Sequence, residues 1–237
     1  MTTSGTTSLS LTARDIITFA LGKISASPIG QAPAETEIAG VIMELNLMLK
    51  EWEFDSPHLW RQTLGEQTLS PATGSYSLVT DNPLRVMECR YRYPTTSVTS
   101  EQRDLPMEEM GRDAYMELPV KLSPGSIPTM WYFDPQETSQ TLYIWPVPTN
   151  PTTDKLVYTY QRRFQIVTNL SDSIDVPQEW LATVGYGLAS RLVDDYGLEG
   201  ASAQRIIARA EELKRKAEAF DREGFVRFMP NYRFRRH

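Results

Sequence analysis

VPQEWLATVGYGLASRLVDDYG, residues 176–197, is the stretch on which the fold turns. Trp180, Leu181, Val184, Leu188, Leu192 and Val193 recur at helical steps and line one face. Ala182, Gly185, Gly187 and Ala189 are small enough for a neighbouring helix to approach closely. Pro177 suits a first helical position, where its missing N–H has no partner to lose, and Gly197 suits a C-terminal cap. Such a helix packs against other helices, so helices are to be sought on either side of it.

Downstream, Ile206, Ile207, Ala210, Leu213, Ala217 and Phe220 form one side of a helix over about Glu199–Glu223. Its other side is charged, with Glu211–Arg215 and Glu212–Lys216 four apart in the favourable order. Far upstream, Thr12 and Asp15 have the spacing of a capping box at the start of a short helix ending near Ile24, with Ile16, Phe19 and Leu21 apolar. After a Pro/Gly loop from Ser25 to Pro33, the residues Ile38, Val41, Ile42, Leu45, Leu49 and Trp52 mark a second helix of about twenty residues. Asp55-Ser56-Pro57 ends it.

Between these helical ends the period changes to alternation. Strands are expected at Gln67–Leu69, Tyr76–Thr80, Leu84–Tyr93, Thr129–Phe133, Thr141–Trp145 and Lys155–Phe164, kept short by Pro and Gly as in a small sandwich or barrel. Met107–Glu117 is expected to form a short helix. The fold expectation is α+β: a four-helix core built from both chain ends, an inserted antiparallel β-rich module, and an extended C-terminal arm. The corresponding divisions are residues 10–60, 61–168, 169–222 and 223–237. No internal repeat is present.

The arm has a composition of its own. From Asp221 to His237, Phe225, Phe228, Tyr232 and Phe234 alternate with Arg222, Arg227, Arg233, Arg235 and Arg236. Those five Arg face only Asp221 and Glu223, so of the chain's 24 basic and 30 acidic side chains the preceding 220 residues keep 19 and 28, a net −9 beside the arm's +3. Unpacked termini are normally small and polar. This one carries aromatic surface to bury and charge to pair, and Phe225, Arg227, Phe228, Tyr232, Arg233, Phe234, Arg235 and Arg236 are the expected contacts to another subunit.

Composition excludes several function classes. The 41% hydrophobic content fills an interior, yet no run of about 18 apolar residues is present to span a membrane, and Met1–Ser10 lacks the layout of a secretory signal. Cys89 alone forms neither a disulfide nor a thiolate cluster, which fits a reducing compartment, and it reads as a small buried strand residue. An acidic body is unsuited to reading duplex DNA, which needs many Lys/Arg–phosphate contacts.

Catalytic groups are few. His58, beside Leu59 and Trp60, reads as a packing histidine, and His237 is terminal. Gly185-Tyr186-Gly187 lies inside a helix and lacks the third glycine of a dinucleotide fingerprint. Asp194 and Asp195 point about 100° apart on a helix, as solvated or ion-paired carboxylates do. Asp172, Asp175 and Glu179 are what a loop leading into a helix carries; a hydrolase built on them is the enzyme alternative. The rings of Met130–Phe133 and Leu142–Trp145 read as core more than as a stacking platform. No cofactor or metal site is expected.

The order of "LKEWEFDSPHLW" leading into strands, then "PTMWYFDP", "TLYIWPVP", "KLVYTYQRRF", "VPQEWLATVGYGLASRLVDDYG" and a final charged helix resembles the head-to-tail adaptor proteins of short-tailed phages, also called tail accessory factors or packaged-DNA stabilisation proteins, over about residues 10–237. The resemblance implies a virion protein at the head-tail junction, assembled in the host cytoplasm as a ring, usually of twelve copies. It implies binding beneath the portal, extension of the channel past packaged DNA, and attachment of the tail nozzle or tail fibre proteins. In such adaptors a C-terminal extension reaches onto the portal. A lytic activity is not implied, since no position matches a wall-hydrolase site. The alternative within phage structure is a tail tubular or fibre-attachment protein.

Overall fold

The computed structural model describes residues 5–26, 35–55, 58–93, 102–151 and 154–221. Helix α1 (Ala13–Lys23) starts on a complete capping box: the Asp15 N–H donates to the Thr12 hydroxyl, and the Thr12 N–H donates to the Asp15 carboxylate at 2.9 Å. The Thr12 N–H and the Thr12 hydroxyl, which both donate to it, hold the Asp15 carboxyl below its usual range. Helix α2 (Glu35–Asp55) turns Ile38, Val41, Leu45, Met48, Leu49 and Trp52 inward. The β-rich region follows, and with it one short helix, α3 (Arg112–Glu117).

Helix α4 (Leu181–Asp195) begins later than its proline suggests. A 3₁₀ turn, Gln178–Trp180, comes first, and Pro177 precedes that turn in extended conformation. The tighter turn seats the Trp180 ring 5.9 Å from Trp52. At the other end Gly197 adopts φ +62, its N–H donates to the Asp194 carbonyl and the Leu198 N–H donates to the Val193 carbonyl. This is a Schellman cap, open to glycine without penalty.

Helix α5 (Gly200–Phe220) buries Ala203, Ile206, Ala210 and Ala217, but Phe220 is 79% exposed, contrary to its expected place on the apolar side. Four residues past Ala217 the inward row meets Asp221, so Phe220 falls off it. Glu212 binds both Lys216 and Arg209, and these contacts hold its carboxyl at about 2.

One core joins these helices: Ile16, Ile17, Leu45, Leu49, Val184, Leu188 and Ile206 all belong to it, with Phe164, Val167 and Ile174 from the segment that leads into α4. The two glycines of α4 sit at its tightest contacts. A Cβ on Gly187 would come within 3.0 Å of Met48 Sδ and 3.1 Å of the Trp52 ring, both buried, whereas one on Gly185 would meet only the partly exposed Phe19 ring, at 2.7 Å. Overpacking costs ~1–3 kcal/mol, and alanine regains ~1 kcal/mol over glycine in a helix. Gly187→Ala is therefore expected to destabilise by about 1 kcal/mol in urea melts, while Gly185→Ala leaves stability within about 0.5 kcal/mol because Phe19 can swing outward. The reverse order would mean that α4 is not clamped against α2.

The strands in chain order are β1 (Gln62–Thr68), β2 (Ser75–Ser77), β3 (Pro83–Tyr93), β4 (Arg103–Pro106), β5 (Glu108–Glu109), β6 (Pro124–Gly125), β7 (Met130–Pro135), β8 (Gln140–Trp145), β9 (Val147–Pro148) and β10 (Lys155–Arg162). An antiparallel sheet runs β1-β10-β3-β4, a second runs β2-β8-β7-β5, and β6 pairs with β9. The short pairings β5–β7 and β6–β9 are parallel. Cys89, Tyr91, Leu156 and Tyr158 of the first sheet share a core with Trp131, Leu142 and Ile144 of the second. Along β3 the register shifts, Thr159 facing Glu88 and Tyr160 facing Val86, so Met87 is extra. That bulge lets Val86, Cys89 and Tyr91 all point inward despite their odd spacing.

Two expectations are corrected here. The helix sought across Met107–Glu117 is confined to α3, because Glu108 and Met110 donate their N–H groups to Thr129 and Trp131 carbonyls along the sheet edge. β1 begins at Gln62, five residues before the expected Gln67, since it pairs with β10 from Gln62↔Gln161 onward.

Candidate assembly surfaces

Where the helices meet the first sheet, buried polar groups are concentrated. Arg61 is fully buried; its Nε and Nη2 donate to the Arg162 carbonyl at 3.1 and 2.7 Å, and its guanidinium lies 4.3 Å from the centre of the Phe164 ring. Glu53, also buried, stands 3.9 Å from Arg61 and accepts from Lys50 Nζ at 2.9 Å and from the Phe164 N–H. Arg162 in turn forks onto Asp175. The sequence gives no sign of this role for Arg61 beyond its place after Leu59-Trp60 at a helix-to-strand boundary.

His58 is 1% exposed and lies edge-on to Trp180, with ring centres 4.7 Å apart. Its Nδ1 is 2.9 Å from the Asp221 carboxylate, which also accepts the Leu59 N–H. The packing reading fits this environment. Asp221, counted above with the arm, instead closes α5 against the helical core. Burial lowers the His58 pKa, against the pull of Asp221. The unfolded chain therefore binds the proton first: stability is full above about pH 6.5 and is lost as pH falls through the folded-state value, by at most ~1.4 kcal/mol per pH unit. Urea melts from pH 7.5 to 5 are expected to show this slope in the native chain and a shallower one in His58→Gln.

The candidate carboxylates are committed elsewhere. Asp172 accepts from the Asn169 and Thr168 N–H groups at 2.7 and 3.0 Å, which hold it below the usual range. Asp175 serves Arg162, and Glu179 takes the Gln178 amide. Asp194 and Asp195 are exposed at the end of α4. Burial pushes the Cys89 thiol up to about 12, too high for a nucleophile. Among the described residues no three His, Cys, Asp or Glu side chains converge as a metal site would need. Trp131 is core, and Tyr132 and Tyr143 pack with Tyr115 in a satellite cluster. No described helix is long and apolar enough to cross a membrane.

One outward face is apolar. On α2, opposite the buried row, Met43, Leu47 and Phe54 are 63%, 47% and 78% exposed. Their spacing of four and seven places them on one stripe, a second apolar face that sequence reading missed because the inward stripe accounted for the helix. A helix apolar on two sides is one that gains by being covered. The arm residues Phe225, Arg227, Phe228, Tyr232, Arg233, Phe234, Arg235 and Arg236 lie outside the described residues.

Comparison with known proteins gives three findings. No curated protein matches the chain. Among solved structures, a chain from "Neck of empty GTA particle computed with C6 symmetry" is 14% identical, with 85% of this chain and 93% of that chain covered and a TM-score of 0.26. The family model described as SU10 adaptor protein matches residues 11–228, nearly the whole chain. With a structural architecture, carboxylates tied into loops and an uncovered apolar face already in view, that match makes the chain a member of the SU10 adaptor protein family, the phage head-tail adaptors.

Proposed function

We propose that the protein is a ring-forming connector of a short-tailed phage, which binds the portal after DNA packaging, extends the channel and carries the tail nozzle or fibre proteins. The family match over residues 11–228 carries this reading. The second apolar face of α2 supports it, since Met43, Leu47 and Phe54 would be covered where neighbouring copies pack. Helices from residues 10–60 and 169–222 form the ring core, the β-rich residues 61–168 project from it, and residues 223–237 dock on another subunit. A closed symmetric ring of about twelve copies gives every protomer the same contacts. The acidic body, if it faces the lumen, lets DNA slide. No catalytic step is assigned. Size-exclusion chromatography with light scattering, alone and with portal, tests the reading: a ring-sized or portal-bound species is expected, and a monomer that never joins the portal overturns it.

A further inference from the structure

A cavity of about 400 Å³ opens between the end of β3 and the segment before β10, lined by Tyr91, Tyr93, Ser126, Ile127, Asn150 and Asp154 among others. Its volume falls within the range of ligand pockets. Asp154 is 4% exposed; one carboxylate oxygen accepts the Tyr91 hydroxyl at 2.7 Å, while the other is buried without a partner. A carboxylate withdrawn from water on a single hydrogen bond is costly until a cation completes it. Burial and Asp154 raise the Tyr91 hydroxyl pKa, so Tyr91 stays a donor. Beside it the Tyr91 and Tyr93 rings lie 7° from parallel with centres 6.4 Å apart, and Tyr93 is half-exposed.

We propose that this cavity is a guanidinium site that receives an arginine from the segment 222–237 of a second copy of the chain. A planar guanidinium can donate to the unpaired oxygen while stacking flat on a tyrosine face; an ammonium has no plane to stack and is more strongly hydrated. The cavity offers a single carboxylate, and among the described residues no three His, Cys, Asp or Glu side chains converge there to complete a metal site. The segment 222–237 sets its arginines among aromatic side chains, which suit the half-exposed Tyr93 and the partly exposed Ile127 at the rim. The donor is a second copy because, on the ring reading, residues 223–237 dock on another subunit. Each chain's own Asp221 is held at His58, about 23 Å along β1 from Leu69, whose N–H donates to the Asp154 carbonyl. The sixteen residues 222–237 are long enough to cross that span as well, so the isotope mixing below decides between the two donors. The inference rests on the ring reading and names the pocket that its arm uses.

The test keeps the full chain. A photoreactive phenylalanine analogue replaces Phe234, equal amounts of nitrogen-14 and nitrogen-15 protein are mixed during assembly, and cross-linked peptides are identified by mass spectrometry. Cross-links from position 234 to residues 91–93, 126–127 or 149–150 are expected in mixed-isotope pairs. Asp154→Asn and Tyr93→Ala are each expected to lower their yield roughly tenfold or more; Tyr93 is exposed enough that its loss does not threaten folding. Cross-links that miss the cavity, that occur only within same-isotope pairs, or that persist in both variants overturn the site. If rings or portal complexes still form in that case, the adaptor reading stands without it. If neither forms, that reading fails as well.

Discussion

Arg61→Ala is expected to lower the free energy of unfolding by about 3–5 kcal/mol, the range for removing one member of a buried charge pair. The guanidinium holds two donors on the Arg162 carbonyl and stacks on Phe164, so truncation removes both and opens a void. It also leaves Glu53, with 2% side-chain exposure, relying on Lys50 and the Phe164 N–H. Two effects oppose each other here, because burying Arg61 is itself costly and burial lowers its pKa. A joint Arg61→Met, Glu53→Gln replacement should therefore recover part of the loss, since it strands neither charge. Arg61→Lys should not recover it, because one ammonium cannot reproduce the fork. By contrast, Arg90→Ala, which breaks an exposed contact with Glu88, should cost no more than ~1 kcal/mol. Denaturant melts measure all four, and an Arg61→Ala loss below that of Arg90→Ala would remove the buried junction from the account.

Those residues also mark where sequence stops informing structure. Apolar periodicity placed the helices well, because Val184, Leu188 and Leu192 on α4 and Leu45, Met48 and Leu49 on α2 fall where a helical period must put them. Thr12, Asp15 and Gly197 were readable for a different reason: each does its work through neighbours within a few residues. Strand limits were less legible. Gln62–Thr68 carries no apolar alternation and is a strand because β10 pairs with it, and exposed β4, Arg-Asp-Leu-Pro, is set by β3. The buried arginine, the Asp221 cap on His58 and the half-paired Asp154 join residues 101, 163 and 63 positions from their partners, distances at which no local pattern operates. Family membership was legible through the order of elements and the aromatic-proline strings, whereas the outward stripe of α2 was hidden by the inward one.

Deleting residues 225–237 is expected to leave thermal unfolding of the protomer unchanged within about 0.5 kcal/mol while abolishing stable assembly with neighbouring copies and portal. The first half follows from the described cores, in which Ile206 and Ala217 of α5 are the latest buried contributors, and from the deletion's sparing Asp221, so the contact with His58 survives. The second half follows from multiplicity. An arm that gains only modestly at one site acts many times over in a closed ring, and its loss can weaken the whole by 10²–10⁴-fold without touching any protomer's fold. Charge and rings should separate. Replacing Arg233, Arg235 and Arg236 with Gln should weaken assembly most at low salt and flatten its salt dependence, because screening acts on charge. Replacing Phe228, Tyr232 and Phe234 with Ser should weaken it at every salt concentration, since apolar burial is not screened. Light scattering over a salt series reads both, and a deleted chain that assembles as well as the native one would leave the α2 stripe as the surface that holds the ring.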